Sequence, residues 1–364
     1  MRKYWWVTLC VFGLCAELLA AGNIYIVDGR KIEVSLKMSQ PTIMLGEPTY
    51  FYYVVKNHSD QDLQVVVGGD YRNGLGRPDS FRISVKSESG ENVDQLKTGF
   101  GMGGFVGPKK IPAKGEYTFD LFLPHWATFE KPGEYSIEAK RILHVTKFGD
   151  EDWHDYTNLN FGKPASQAIE SIKVKPKEVL VRANSSIKVE PLDQEKMGAL
   201  ISKLGRRMLE EKGEKVHSAR RALLAIHDER VIPHFLKALE TNNYSQKFGA
   251  LRALEKFNTD EAFEGLKKGM DTWPGDVDSP GNIRHGAASA LARSPHPGAI
   301  DFLLTRQNDP YSAVRNTIVQ ASKKMKREDA FSMLKKMQED KDERVRGEAH
   351  RYFKMLFPVS RNPS

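Results

Sequence analysis

Cysteine is nearly absent from this chain: its 364 residues contain two, Cys10 and Cys15, and both lie near the start. The first 22 residues have the charged start, apolar run and small closing residues of a secretory signal peptide. We therefore expect a secreted or periplasmic protein that begins near Asn23 and has no thiol. Disulfides, thiol catalysis and zinc–thiolate sites would then be excluded. The alternatives are a buried strand or helix, and a lipoprotein acylated at Cys15, although Leu14 stands where acylation needs a small residue.

Long apolar runs are absent after residue 22, where no stretch approaches the roughly 20 residues that cross a bilayer. We therefore expect no transmembrane segment. About 340 residues would remain after cleavage, which is enough for two domains that are stabilised by their cores alone.

Recognisable catalytic motifs are also absent. The ten histidines form no H-E-x-x-H pair, and the chain has no G-x-S-x-G segment. His217, His227 and His234 cluster in sequence, but none has a carboxylate or a second histidine at the helical spacing of four. We expect a surface, a turn and a solvent-facing residue respectively, with no metal or cofactor. The sequence thus favours a protein that is not an enzyme, although paired carboxylates could still converge in the fold.

Acidic residues are fewer than basic residues. The formal net charge is +8, and residues 191–364 carry +7 of it. This asymmetry predicts an anionic partner, which for an exported protein means lipid headgroups, polyanionic glycans or an acidic protein before nucleic acid. The competing interpretation is that the charge serves solubility. We expect a protein partner, with anionic lipid or glycan as the alternative and no nucleic acid.

Residues 23–191 alternate apolar and polar side chains with the period of two that predicts half-buried β-strands. Residues 50–55 are apolar or aromatic on both faces, as in a central strand of a two-layer sandwich. Glycine and proline turn signals separate the strands. The alternating positions are Ile32, Val34 and Leu36, then Phe81, Ile83 and Val85, then Tyr117, Phe119, Leu121 and Leu123, and finally Tyr135 and Ile137.

Two segments of this half resemble a known fold. Gly46-Glu47-Pro48 precedes an aromatic strand and Asn57-His58-Ser59, and Pro132-Gly133-Glu134-Tyr135-Ser136-Ile137 opens a later strand. About 165 residues are thereby similar to the all-β immunoglobulin-like sandwich domains of exported bacterial proteins. We expect Tyr135 to bury its ring while its hydroxyl finds a partner near the sheet edge. The resemblance implies no activity.

Two other segments of this half imitate ligand sites. Residues 99–104 satisfy the G-x-G-x-x-G pattern, but no strand–helix–strand unit surrounds them, so we expect a mobile glycine loop. Residues 150–155 gather oxygen ligands without the spacing of a calcium loop, so we expect a solvated acidic run.

From residue 192 to residue 357 the apolar period changes to 3.6, which predicts an all-α domain whose first helix is capped by Asp193. Beyond that helix, an alanine that is followed by leucine, or by serine in the last unit, recurs at spacings of 31, 37 and 31 residues. Each unit is therefore expected to consist of two amphipathic helices, the Ala-Leu helix and the helix that follows it, joined by a short polar turn such as residues 227–229 or 258–260. The alanines are Ala222, Ala253, Ala290 and Ala321, and the matching positions of the other helix are Phe235, Leu266, Leu303 and Leu334, with Ile232, Phe263, Ile300 and Phe331.

Residues 228–233, 309–315 and 340–349 carry the second resemblance. They are similar to HEAT repeats of the short variety first described in phycobilisome lyases. The resemblance covers about 150 residues and implies an armadillo-like α/α solenoid. Such repeats form adaptable binding surfaces and rarely catalyse.

The candidate interaction residues lie in this helical half. Six additional residues fall in segment 271–282, where Trp273 either anchors a contact or folds over the core. Lys247, Arg284, Arg315 and Arg346 occupy one equivalent position in four repeats. We expect them to bond to the neighbouring repeat, and the alternative is an anion-binding stripe. Residues 358–364 are predicted to be a disordered tail.

Two functions compete on this basis. The favoured one is an exported, non-enzymatic binding or scaffold protein, in which the sandwich docks one partner and the helical surface holds another. The alternative is an enzyme or enzyme-associated module that acts on an anionic cell-envelope polymer. A cleft with converging carboxylates or histidines would favour the enzyme, whereas a basic or aromatic surface would favour binding.

Overall fold

The computed structural model describes residues 22–27, 29–66, 81–93, 108–147, 177–271 and 283–358. The chain divides into two compact units, Met1–Leu192 and Asp193–Ser364. Among the described residues, ten strands lie in the first unit and ten α-helices in the second. Several predicted features lie outside the described residues: most of the signal peptide, the glycine loop, the acidic run, Trp273 and residues 359–364 of the tail.

The first sheet contains four antiparallel strands in the order β1, β2, β4, β8. Their bounds are Asn23–Val27 for β1, Arg30–Met38 for β2, Tyr50–Asn57 for β4 and Glu116–Phe122 for β8. The prediction of a central strand at residues 50–55 is confirmed, because Phe51 on β4 lies opposite Met38 on one side and Leu121 on the other.

The second sheet contains six strands. Their bounds are Thr42–Met44 for β3, Leu63–Val66 for β5, Arg82–Ser87 for β6, Pro108–Ile111 for β7, Gly133–Lys147 for β9 and Lys177–Glu190 for β10. The long strand β9 pairs antiparallel with β10, β5 and β6, while β7 joins β5 and β3 joins β10 in parallel. Side chains from both sheets form one apolar core, and the predicted alternation is confirmed where Ile32, Val34 and Leu36 are fully buried.

Three polar side chains organise the edges of this core. Asn57 is fully buried, and its amide nitrogen donates to the carbonyl oxygens of Gln61 at 2.8 Å and Pro112 at 3.0 Å. Its Oδ1 accepts from the amide and the hydroxyl of Ser59. The prediction for Tyr135 is confirmed, since its ring is buried and its hydroxyl donates to the carbonyl of Lys131 at 2.7 Å.

A tyrosine hydroxyl links the two sheets. The hydroxyl of Tyr25 on β1 accepts from the amide of Arg182 at 2.8 Å and donates to the carbonyl of the same residue at 3.1 Å. Asn23 donates to that carbonyl as well. Backbone groups of β10 that no neighbouring strand pairs are thereby satisfied by side chains of β1.

The ten helices of the second unit are short and regular. Their bounds are Gln194–Glu210 for α1, Glu214–Ala225 for α2, Ile232–Glu240 for α3, Tyr244–Leu254 for α4, Asp260–Asp271 for α5, Ile283–Arg293 for α6, Gly298–Thr305 for α7, Ser312–Ala321 for α8, Arg327–Met337 for α9 and Glu343–Leu356 for α10. Asp193 caps α1 as predicted, because its side chain accepts from the amides of Glu195 and Lys196.

The pairing of these helices differs from the prediction. The sequence grouped each Ala-Leu helix with the helix that follows it, but α3 packs mainly on α4 and α5 mainly on α6. Small side chains allow this approach: a Cβ added at Gly269 of α5 would lie 3.0 Å from the Cβ of Ala287 on α6. Segment 272–282 therefore connects two helices of one pair and does not separate successive pairs.

The even-numbered helices stack in sequence, from α2 to α10. Of the two predicted apolar series, Phe235, Leu266, Leu303 and Leu334 are all fully buried. The other series changes along the array: Ile232 is buried, whereas Phe331 is 40% exposed. Phe331 belongs to the last helix pair of the described chain, where it packs on Phe353 of α10 and on Phe357 just after that helix.

Candidate functional site

The predicted basic positions are largely engaged within the array. The guanidinium of Arg284 on α6 donates to Asp309, with Nη2 and Nε at 2.6 and 3.0 Å from Oδ2. The guanidinium of Arg315 on α8 donates to both carboxylate oxygens of Asp340 at 2.8 Å. Both aspartates belong to the segment that leads into the next even-numbered helix, so each pair joins neighbouring repeats. This geometry favours the expected structural role over an anion-binding stripe at these two positions.

Burial and charge make the second pair tight. The side chains of Arg315 and Asp340 are 4% and 7% exposed. The bond from Asp340 raises the pKa of Arg315. Burial acts to raise the pKa of Asp340, but the bonds from Arg315 and from the amide of Asp342 outweigh it, so the pKa is lowered.

The other two predicted positions differ. Arg346 on α10 donates to the backbone carbonyls of Asp340 and Lys341, and neither bond involves a carboxylate. Lys247 is half-buried in the first turns of α4. Trp273 lies outside the described residues.

A second basic series was missed by the sequence analysis. It lies at the carboxyl ends of the even-numbered helices. Lys256 donates to the carbonyl of Leu224 at the end of α2, and Lys324 donates to that of Ala292 near the end of α6 at 2.7 Å. Arg293 instead donates to the carboxylate of Glu255. These three residues follow the same spacings of 37 and 31 residues, so the repeat spacing in the sequence could have identified them. Cations at these ends complement the helix dipole.

Two aromatic side chains stand exposed on α4. Tyr244 is 50% and Phe248 38% exposed, although both are large and apolar. They lie one turn apart, with ring centroids 6.2 Å apart and planes inclined by 16°. Phe248 extends over Gly286 of α6, where a Cβ would fall 2.9 Å from a ring carbon. The glycine therefore sets the position of this ring.

A cation from the preceding repeat lies beside them. Arg220 on α2 donates to the carbonyl and the hydroxyl of Ser245 on α4, at 2.6 and 2.7 Å. Within the described residues no carboxylate pairs with Arg220. Burial lowers its pKa, and the charge of Arg221 adds to this shift. Both causes reflect a positive charge that is partly removed from water without a counter-charge. Arg252 extends from the exposed side of α4 one turn beyond Phe248.

A small polar cleft of about 190 Å³ opens next to this aromatic pair. It is lined by Glu211, Lys212, Gly213, Val216, His217, Arg220, Asn243 and Gln246. Gln246 is fixed because its amide donates to the carbonyl of Met208 at 2.8 Å. Glu211 pairs with Arg207 at 3.5 Å and lies 4.0 Å from Lys215, and its Oε2 accepts no hydrogen bond from the described residues. We call the cleft together with Arg220, Tyr244, Phe248 and Arg252 the α2–α4 surface.

Among the described residues, few groups of this surface are of the types that act in catalysis or hold a metal ion. One carboxylate and one histidine line the cleft. In the part of the chain that the structure describes, no group of three histidine, cysteine, aspartate or glutamate side chains is placed to hold a metal ion. His217 is exposed as expected, and His227 lies in the segment between α2 and α3. His234 is half-buried, because its ring packs against Gly205 of α1, and burial followed by the charge of Lys237 lowers its pKa.

The second unit consists of paired helices, and a known family matches part of it. A model of HEAT repeats matches residues 276–352. This part of the second unit therefore has HEAT repeats, as the sequence predicted. No helix among the described residues is long and apolar enough to span a membrane.

Similarity to solved structures is low. Human deoxyhypusine hydroxylase bound to glycerol is 19% identical over 33% of this chain and 41% of its own, with a TM-score of 0.30. An engineered protein is 20% identical over 43% of this chain and 78% of its own, with a TM-score of 0.29. WR4, an MSP family member of C. elegans, is 11% identical over 41% and 94%, with a TM-score of 0.17. No curated protein sequence matches the chain.

Proposed function

We propose that this protein is an exported, non-enzymatic binding or scaffold protein. Its second unit would be a HEAT solenoid that holds a protein partner, and its first unit an immunoglobulin-like sandwich. Two sheets with one shared core support the sandwich assignment. So does the hydroxyl of Tyr135, which bonds to a carbonyl four residues upstream as in the tyrosine corner of such domains.

The α2–α4 surface is the observation that carries this proposal. Arginine and tyrosine are the side chains over-represented where binding energy concentrates in protein interfaces. Tyr244 and Phe248 are exposed on a helix whose other large apolar side chains are buried, and Arg220 beside them has no carboxylate among its described partners. An exposed aromatic pair next to an uncompensated cation is typical of a contact surface.

The enzymatic alternative has less support. Glycoside cleavage generally uses two carboxyl groups on opposite sides of the bond. Among the described residues, the cleft offers Glu211 as its one carboxylate.

Chemical crosslinking of the mature protein in cells, followed by identification of the joined partner, tests the binding role. We expect a defined partner whose crosslinked yield falls in the double variant Tyr244→Ala, Phe248→Ala. Arg206→Gln, an exposed substitution on α1, is the matched control and should keep the yield. Turnover of an envelope polymer by the purified protein would contradict the proposal.

The export part of the proposal needs its own test. N-terminal sequencing of the natural protein should give a start near Asn23 and a product without thiols. An intact Met1 on a cytoplasmic species would refute export and leave the binding role standing.

A further inference from the structure

We infer that the α2–α4 surface binds an extended acidic segment of a partner protein, with a carboxylate side chain on Arg220 and an apolar side chain on the Tyr244–Phe248 pair. This inference rests on the proposed binding function and names the partner class. Its evidence is the charge, the aromatic geometry and the cleft.

The charge argument starts from Arg220. Its Nη1 is used by Ser245, and its Nη2 lies 3.3 Å from Nδ1 of His217, while its Nε donates to no described group. The guanidinium is half-buried and fixed, so an incoming carboxylate would meet a donor that has already lost part of its hydration and its freedom. Lys212 and Arg252, both exposed on the same surface, add positive charge around it.

The aromatic argument concerns preorganisation. Gly286 leaves room for the ring of Phe248, and the ring of Tyr244 lies nearly parallel to it. Binding costs are lower when the contact groups already hold their bound geometry. An aromatic or aliphatic side chain of the partner would cover two rings that are now 50% and 38% exposed.

The volume and the lining of the cleft favour a peptide over other anionic ligands. At about 190 Å³ the cleft is smaller than the roughly 300–1,000 Å³ of typical small-molecule sites, and it is suited to one side chain of a longer ligand. Its lining mixes the carboxylate of Glu211 with the cations Lys212 and Arg220 and the amide of Asn243. A peptide offers both donors and acceptors to such a lining, and it carries an apolar side chain for the Tyr244–Phe248 pair. A sulfated glycan offers negative charge without an apolar side chain.

Fluorescence anisotropy with a defined probe tests the inference on the full chain. The probe is a labelled ten-residue peptide of aspartate and glutamate interrupted by two phenylalanines. Two comparison peptides replace the acids by their amides or the phenylalanines by alanine. We expect the first peptide to bind at least about fivefold more tightly than either comparison peptide.

Variants assign the binding to the surface. Tyr244→Ala should weaken binding of the acidic peptide about fivefold, and Tyr244→Phe should restore most of it. Arg252→Gln should weaken it and reduce its dependence on salt, whereas the matched Arg206→Gln should leave both unchanged. Phe248→Ala also removes packing on α6, so Tyr244→Ala, whose ring is more exposed, is the decisive variant.

Three results would overturn the inference. One is no binding of the acidic peptide up to about 1 mM. The second is equal affinity of the natural protein and Tyr244→Ala. The third is binding of phosphatidylglycerol vesicles or heparin, weakened by the same variants, without binding of the peptide. If crosslinking retains a partner that Tyr244→Ala does not affect, the binding function survives and this surface assignment fails.

Discussion

Asn57 in the first unit (the β unit) and two arginines in the second (the helical unit) satisfy buried polar groups in different ways. In the β unit, Asn57 is satisfied by carbonyls and a serine in the turns next to its strand, with no charge involved. In the helical unit, Arg284 and Arg315 reach carboxylates 25 residues away in the next repeat. The first arrangement strengthens one shared core. The second joins neighbours in a row, so we expect stability in the helical unit to depend on local interfaces.

The substitution with the largest expected effect on this contrast is Arg315→Gln. It leaves the carboxylate of Asp340 buried without its cation, which should cost about 3–5 kcal/mol of unfolding free energy in the helical unit. Hydrogen exchange measured peptide by peptide should show faster exchange in α8 and α10 and unchanged exchange in β4. Arg346→Gln, which loses bonds to carbonyls only, is the matched control and should cost about 1 kcal/mol. Equal loss in both units would show that they unfold together.

Asn57→Ala tests the other half of the contrast. The carbonyls of Gln61 and Pro112 and the amide of Ser59 lose their partner, so the β unit should lose about 2–3 kcal/mol. Chemical denaturation followed by exchange of β4 and β8 measures the change. His58→Ala, at the partly exposed neighbouring position, should cost less than about 1 kcal/mol. Protection of α8 that falls with that of β4 would contradict the separation.

Acid should weaken the pair of Arg315 and Asp340 in the helical unit. The folded-state pKa of Asp340 lies below its unfolded value of about 3.9, so its pair with Arg315 contributes stability above that value. This contribution is lost as the pH falls through the folded-state pKa. In Arg315→Gln, burial favours the protonated acid and is opposed only by the bond from the amide of Asp342 and the charge of Lys341, so lowering the pH below about 4 should weaken this site less. Melting curves of both proteins across this range decide it.

The smallest expected effect concerns one turn of the β unit. Lys114, and not the neighbouring Gly115, has the positive φ of 58° in the turn before β8. Lys114→Gly should remove the strain of a left-handed lysine and stabilise the β unit by up to about 1 kcal/mol. The bond from the Lys114 ammonium to the carbonyl of His58 is lost and offsets part of this gain. A lower melting temperature would show that the bond outweighs the strain.

Much of the fold was readable in the sequence because each signal is local. Alternation at Ile32, Val34 and Leu36 follows from a strand with one buried face, and the cap at Asp193 follows from the chemistry of helix starts. The pairing of helices was not readable, since it depends on where Gly269 lets two helices approach. The partners of β9 were hidden for a similar reason, because strands distant in sequence meet along its length.

The candidate site was predicted only in part. The repeat spacing in the sequence identified Arg284 and Arg315. Their acidic partners come from loops whose positions only the fold defines. Tyr244 and Phe248 follow the spacing of a buried helical face and gave no sign that they would be exposed. Arg220 was overlooked because the absence of a counter-charge is a property of its surroundings and not of its own type.

The two basic series also affect how such an array can grow. Near the ends of α4, α6 and α8, the side chains of Lys256, Arg293 and Lys324 reach back to the preceding repeat. The ends of α2 and α6 supply the accepting carbonyls of Leu224 and Ala292 to the repeat that follows. Duplication of one helix pair in the gene would therefore supply a donor and an acceptor together, and an inserted copy would regenerate the bonds on both of its sides. The length of this array is open to change by duplication, without compensating substitutions elsewhere.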